Sequence, residues 1–304
     1  MTVRQKLETL FDQPIVSIKT LGEQYDGRTN DVWLVSLQDE TEYVVRSRRT
    51  NRNESEFTAG ISLIYGVDAH AVQDHIDQIN RRLSQTKSFH IPAVIRQVQI
   101  SGRNYTVMEK VEGTSITTLK GRTPAFYEDY GRKLARFHAY QTHFFGAVYG
   151  GKRHDLKNFN QQLKKAVHHL TSHYYVNQPE IVRYEKIVQQ KLEELSLPES
   201  SSLILIDLDA TQYIERDGKV MCLVDTEYVV FGPAEFDFIA LEYLLTKEAA
   251  HFVQRGYEDI RPLPKQLHEV RECYRFVSFL LDIHGSWDVQ KWMNHPVFFH
   301  SQYE

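Results

Sequence analysis

The chain has 304 residues, 41% of them hydrophobic and 12% aromatic, which is enough to bury a sizeable core in one large or two modest domains. Its formal charge of -4, from 36 Lys and Arg against 40 Asp and Glu, excludes a broad positive field for nucleic acid, although Arg46, Arg48, Arg49 and Arg52 cluster locally. Cys222 and Cys273 are too few and too far apart for a zinc ribbon or a secreted disulfide scaffold. With no signal-like start and no apolar run long enough to span a bilayer, a cytoplasmic protein without membrane attachment is expected.

Val3, Leu7, Leu10 and Phe11 recur at helical intervals and predict an amphipathic helix packed on the first lobe. Strands are expected over 15–21 and 32–37, flanking Gly27-Arg28-Thr29-Asn30, whose backbone amides could cover a phosphate. Glu42-Tyr43-Val44-Val45-Arg46 alternates like a strand ending in a cation. Residues 50–66 turn from polar to apolar, as an extra helix or a flexible cover. The next helix is predicted over 69–83, with Val72, Ile76, Ile79 and Leu83 on one face. Strands over 94–100 and 105–108 flank Ser101-Gly102-Arg103-Asn104, a turn by composition.

The break at Gly113 is the best boundary within the chain, and helical patterns dominate beyond it. The first of those helices starts at Thr123-Pro124, a cap followed by a first-turn proline, and runs to about Gln141. Others are expected over 158–172, 178–195, 235–247, 264–283 and around 288–293. His138 reads as a packed, hydrogen-bonded residue. His169 and His173, four apart without an accompanying Glu motif, read as a solvated helix face.

The segment Leu203-Ile204-Leu205-Ile206-Asp207-Leu208-Asp209-Ala210-Thr211-Gln212 carries the most chemistry. Four residues separate Asp207 from Gln212, the interval at which a kinase catalytic loop places an Asp that orients the acceptor hydroxyl and an amide that holds metal. Strand-like alternation on either side of Arg216-Asp217-Gly218 predicts a hairpin, because Asp-Gly favours a tight reversal. The returning strand would bring Asp225 beside Gln212 and within reach of Asp207. Mg2+ takes hard oxygen donors, usually one or two from protein, with water and substrate phosphates completing its shell. Asp225 and Gln212 would serve as the metal ligands, leaving Asp207 to act as the general base.

This segment resembles the aminoglycoside phosphotransferase and choline kinase group of small-molecule kinases, whose loop reads H-G-D-x-H-x-x-N. Here Leu205 replaces the first His, Asp209 the second, and Gln212 the Asn. The later family stretches I-D-W-E and G-D-P-A-x-D-L-A correspond to Val224-Asp225-Thr226-Glu227 and Gly232-Pro233-Ala234-Glu235-Phe236-Asp237-Phe238-Ile239-Ala240. Gly27 to Val35, Met108 to Gly113 and Gly131 to His138 resemble the family's nucleotide loop, lobe connection and L-x-x-L-H segment.

The resemblance implies an α+β, protein-kinase-like bilobal fold with a small antiparallel β-sheet N-lobe and a mainly helical C-lobe. It further implies that Gly27, Arg28, Thr29 and Asn30 cover the phosphates of ATP or GTP, that Arg46 stands where related kinases place a phosphate-binding Lys, and that main-chain groups of Glu109 and Val111 bind adenine. The family's helix Glu is missing. Asp74 is the preferred partner for Arg46, with His75 and Asp77 as rivals. Asp225 becomes the principal metal ligand, Glu227 a supporting neighbour, and Asp237 an anchor for the catalytic loop. The expected activity is Mg2+-dependent transfer of the γ-phosphoryl group to a hydroxyl of a small molecule, bound on the acidic side of the cleft beside the helices after Asp237. The alternative class is a catalytically weak or inactive kinase-like nucleotide-binding or interaction protein. Neither the acceptor nor the oligomeric state is legible.

Overall fold

The computed structural model describes residues 1–22, 30–49, 54–69, 71–151, 153–285 and 287–301. Its first layer is a five-stranded antiparallel sheet formed by β1 (Ile15–Thr20), β2 (Asn30–Leu37), β3 (Glu42–Arg48), β4 (Val94–Ile100) and β5 (Arg103–Glu109), in the order β1-β2-β3-β5-β4. Ser101 and Gly102 both adopt positive φ, 51° and 75°, which closes the β4–β5 hairpin in a two-residue turn. Helix α1 (Val3–Glu8) starts in a capping box between Thr2 and Gln5. It presses Leu7, with Leu10 beyond its end, onto Trp33, Val35, Val45 and Val107 of the sheet.

The segment between β3 and β4 forms α2 (Glu56–Tyr65), a 3₁₀ turn over Val72–His75, and α3 (Ile76–Ser84). Its buried side chains, among them Ile61, Ile64, Tyr65, Val72, Ile76, Ile79 and Leu83, belong to the larger core of the helical lobe and not to the small core under the sheet. A β-carbon on Gly60 would overlap the Leu281 side chain, so α2 lies very close to that lobe.

After β5 come β6 (Thr114–Ser115), α4 (Pro124–His138), β7 (Gln141–Thr142), β8 (Phe144–Ala147), β9 (Arg153–Asp155), α5 (Phe159–Tyr174) and α6 (Pro179–Glu194). They are followed by β10 (Ser201–Leu205), β11 (Tyr213–Arg216), β12 (Lys219–Leu223), β13 (Val229–Gly232), α7 (Glu235–Leu244), α8 (Lys247–Glu258), α9 (Leu267–Leu280) and α10 (Val289–Met293). Strands β7, β10, β13, β8 and β9 form one sheet in that order, and β12, β11 and β6 form another.

Thr123 caps α4 as its sequence predicts, but the helix stops at His138, because Gln141 and Thr142 pair with Ser202 and Ser201. The predicted helix over 235–247 ends at Leu244. Thr246 then caps a separate helix, α8, which the sequence reading missed. Helices α4 and α8 cross with almost no space between backbones: a β-carbon on Gly131 would overlap the Val253 carbonyl, and one on Gly256 the Glu128 carbonyl. In the helical core, Glu242 is fully buried between Arg271 and Arg275, each 2.6 Å away. The same two arginines donate to the carbonyls of His295 and Phe299, at 2.6 and 2.8 Å, tying the C-terminal stretch down.

Candidate active site

Strand β10 is buried along its whole length and delivers the chain to Asp207 through a fixed end. The Leu205 N–H donates to Asp237 Oδ1 at 2.9 Å, Asp237 Oδ2 lies 3.0 Å from His138 Nε2, and His138 Nδ1 lies 3.0 Å from the Tyr257 hydroxyl. Asp237, His138 and Tyr257 are completely buried, so this chain of polar contacts fixes where the loop leaves the sheet. Asp209 then caps the 3₁₀ turn Ala210–Gln212, accepting from the Thr211 N–H at 2.8 Å. Gln212 folds back, its amide nitrogen donating to the Asp207 carbonyl, while the Asp209 N–H approaches its amide oxygen at 3.5 Å.

The hairpin that follows turns at Asp217 and Gly218, with φ of 55° and 69°, and pairs Tyr213 with Leu223. At its end the Val224 N–H donates to the Gln212 carbonyl at 2.8 Å, which places Asp225 next to Gln212. Both line a cleft of about 340 Å³ between the lobes. Val32 and Val44 come from the first sheet and Ile214 and Val224 from the hairpin, giving apolar walls; Arg46, Gln212 and Asp225 make the polar end. Glu109, Val111 and Gly113 edge the same cleft. Glu109 directs its side chain away, onto His90 at 2.9 Å and the Ala93 N–H at 3.1 Å. Gly113 has φ of 143°, and a β-carbon there would sit 2.5 Å from the Glu215 carbonyl oxygen, so the chain passes the hairpin only as glycine.

Arg46 is 7% exposed and takes different partners from the one expected. Its guanidinium lies 2.8 Å from Glu227 Oε1 and 3.2 Å from Asp225 Oδ1, and it donates to the Val224 carbonyl at 3.4 Å. Asp74 is exposed and accepts from Asn104 instead. The reason is local: the predicted helix opens with a 3₁₀ turn, which buries Gln73 and turns Asp74 outward. Gln73 donates to Glu227 and, at 3.0 Å, to Asn30 Oδ1, while Asn30 Nδ2 lies 3.3 Å from both Glu227 oxygens. Asn30 is therefore buried against Glu227. Gly27, Arg28 and Thr29 lie outside the described residues. Sequence reasoning missed Gln73 and assigned Glu227 only a supporting place; the i, i+2 spacing of Asp225 and Glu227 was the available signal.

Burial, followed by the charges of Asp225, Asp209 and Glu227, pushes the Asp207 carboxyl up to about 7. Burial also raises Glu227, against the opposing pull of Arg46. Among the described residues no three His, Cys, Asp or Glu side chains converge on a metal position, and no helix is long and apolar enough to cross a membrane.

A model of the phosphotransferase enzyme family (APH) matches residues 23–272. No curated protein matches the sequence. Among solved structures, the apoenzyme of macrolide 2′-phosphotransferase MphH from Brachybacterium faecium superposes with a TM-score of 0.59 at 12% identity, covering 96% of this chain and 98% of that one. ADP-bound aminoglycoside phosphotransferase APH(2″)-Ib gives 0.61 at 15% identity, covering 96% of each chain. The GDP complex of aminoglycoside 2′-phosphotransferase-IIIa gives 0.60 at 15% identity, covering 93% of this chain and 90% of that one. At these identities the likeness is one of fold: the protein-kinase-like bilobal architecture expected from sequence.

Proposed function

The chain belongs to the phosphotransferase enzyme family, and from that premise we propose that it transfers the γ-phosphoryl group of ATP or GTP to a hydroxyl of a small molecule, with Asp207 as general base. One observation carries the reading: the Asp207 carboxyl, pushed up to about 7 by burial and by the charges of Asp225, Asp209 and Glu227, sits in the loop tied to Gln212, and Gln212 shares with Arg46 and Asp225 the polar end of the cleft. A base poised near neutral pH takes the acceptor's proton as its oxygen attacks. Arg46 would hold phosphate oxygens at the inner end of the cleft, the apolar walls would hold the base, and main-chain groups of Glu109 and Val111 would bind its edge. The loop containing Gly27, Arg28, Thr29 and Asn30 would lie over the phosphates, with Asn30 acting through Glu227.

The donor set at the polar end is hard oxygen, the Asp225 carboxylate and the Gln212 amide, which suits Mg2+ with water and phosphates completing its shell. Bound there, the ion would neutralise phosphate charge. The division into an N-lobe (1–108), hinge (109–113) and C-lobe (114–304) belongs to the same reading, as does work in the cytoplasm, which two buried free thiols favour. The acceptor would enter on the acidic side of the cleft near Asp207, beside the helices after Asp237.

A second reading, a kinase-like nucleotide-binding protein with weak catalysis, is favoured by one feature: both ends of the Gln212 amide are already engaged within its own loop. Thermal unfolding with ATP or GTP and Mg2+ tests nucleotide binding, since a ligand selective for the folded state raises Tm. Nucleoside diphosphate release across a panel of hydroxylated metabolites then separates the two readings. Failure of every nucleotide to stabilise the protein sinks both.

A further inference from the structure

Arg46 is held by one short stretch of chain. Val224 accepts from its Nη1, Asp225 and Glu227 contact its Nη2, and only Nε is left without an acceptor among the described residues. The two acids are not equivalent. Asp225 is the longer contact, 3.2 Å, and its side chain is 42% exposed at the polar end of the cleft. Glu227 is the shorter, 2.8 Å, with a side chain 3% exposed, and it is fixed from behind by Asn30 and Gln73. An acid open to the cleft is free to turn toward a metal ion. A buried acid wedged between two amides is not, and a buried guanidinium that loses its last counter-ion is strongly destabilised.

We infer that Glu227 is the positioning residue for Arg46: it fixes the guanidinium at the phosphate end of the cleft when Asp225 turns to other work, and Gln73 connects this pair to the segment before α3. The carboxylate thus comes from the three-residue stretch that also carries Asp225, while the helical segment supplies a neutral amide. A lobe-crossing bond results, because Arg46 and Asn30 sit on the first sheet and Glu227 follows the hairpin. This inference rests on the reading of Arg46 as the phosphate-facing cation.

Because Glu and Gln are nearly isosteric and Gln73 already donates to Glu227, an exchange of the two side chains tests the role with little change in packing. Glu227→Gln should raise the nucleotide KM about tenfold or more, as expected when a buried charge pair is broken, and kcat at saturating nucleotide should fall less. The double variant Gln73→Glu/Glu227→Gln returns one carboxylate to the same cluster and should recover most of that loss. Gln73→Glu alone sets two carboxylates in contact and should unfold at lower temperature than the double variant. Wild-type nucleotide affinity in a folded Glu227→Gln protein, or a folded double variant no better than the single one, overturns the inference while leaving the kinase reading intact. Lack of nucleotide-induced stabilisation in the unmodified protein overturns both.

Discussion

Replacing Asp207 by Asn should abolish most turnover and at the same time stabilise the fold, and the second effect has a sign that pH reveals. The folded carboxyl titrates near 7 against 3.8 for the unfolded chain, so the native state holds its proton more tightly. Well below pH 3.8 the side chain is neutral in both states and ionisation contributes nothing to the comparison. Between pH 4 and 7 the unfolded chain ionises first, and the unmodified protein loses stability relative to the variant. Above 7 the gap is complete. At ~1.4 kcal/mol per pKa unit the full penalty is about 4 kcal/mol; water at this partly exposed carboxylate screens it to about 2 kcal/mol. Denaturant unfolding of both proteins at pH 4 and pH 8, without nucleotide, measures the change in the gap and cancels any constant effect of the amide. Turnover at pH 8 should fall by about two to four orders of magnitude. A stability gap that stays constant or closes with rising pH refutes the electrostatic account; an Asn variant with full turnover removes Asp207 from the chemistry.

Asp237→Ala leaves the Leu205 N–H and His138 buried without their partner, and urea unfolding should register a loss of about 2–4 kcal/mol. Gly256→Ala forces α4 and α8 apart at the Glu128 carbonyl and should cost about 1–3 kcal/mol by the same measurement, with unchanged stability as the contrary result. Chelating divalent cations should remove the Tm increase produced by nucleotide if Asp225 and Gln212 hold Mg2+; persistence of the full increase in EDTA would show metal-independent binding.

The parts of the fold that sequence made legible are those in which local chemistry and tertiary packing agree. The Asp217-Gly218 reversal is dictated by backbone preference, and with the strand pairing it sets up it carries Asp225 to Gln212. The apolar face of Val72, Ile76, Ile79 and Leu83 is buried as its spacing implies. Helix α8 is hard to read because three of its five buried residues, Ala249, Ala250 and Gly256, are small and carry little hydrophobic signal, yet Gly256 lets it lie against the α4 backbone. Arg46 had the wrong partner for a geometric reason. A regular helix was assumed from residue 69, and a single 3₁₀ turn altered which of Gln73 and Asp74 points inward. No periodicity argument resolves one residue of phase at a helix start.

The two guanidinium groups beside Glu242 have a bearing on biosynthesis. Beyond Glu242 they donate to carbonyls at 293, 295, 296 and 299, well over 200 residues after the first sheet begins. While translation is under way, that sheet has its partners early, but the interior of the helical half stays electrostatically incomplete until the stretch up to 299 clears the ribosomal exit. Final closure of that half is therefore a late event, and a nascent chain stalled short of this point should remain open to chaperones and proteases.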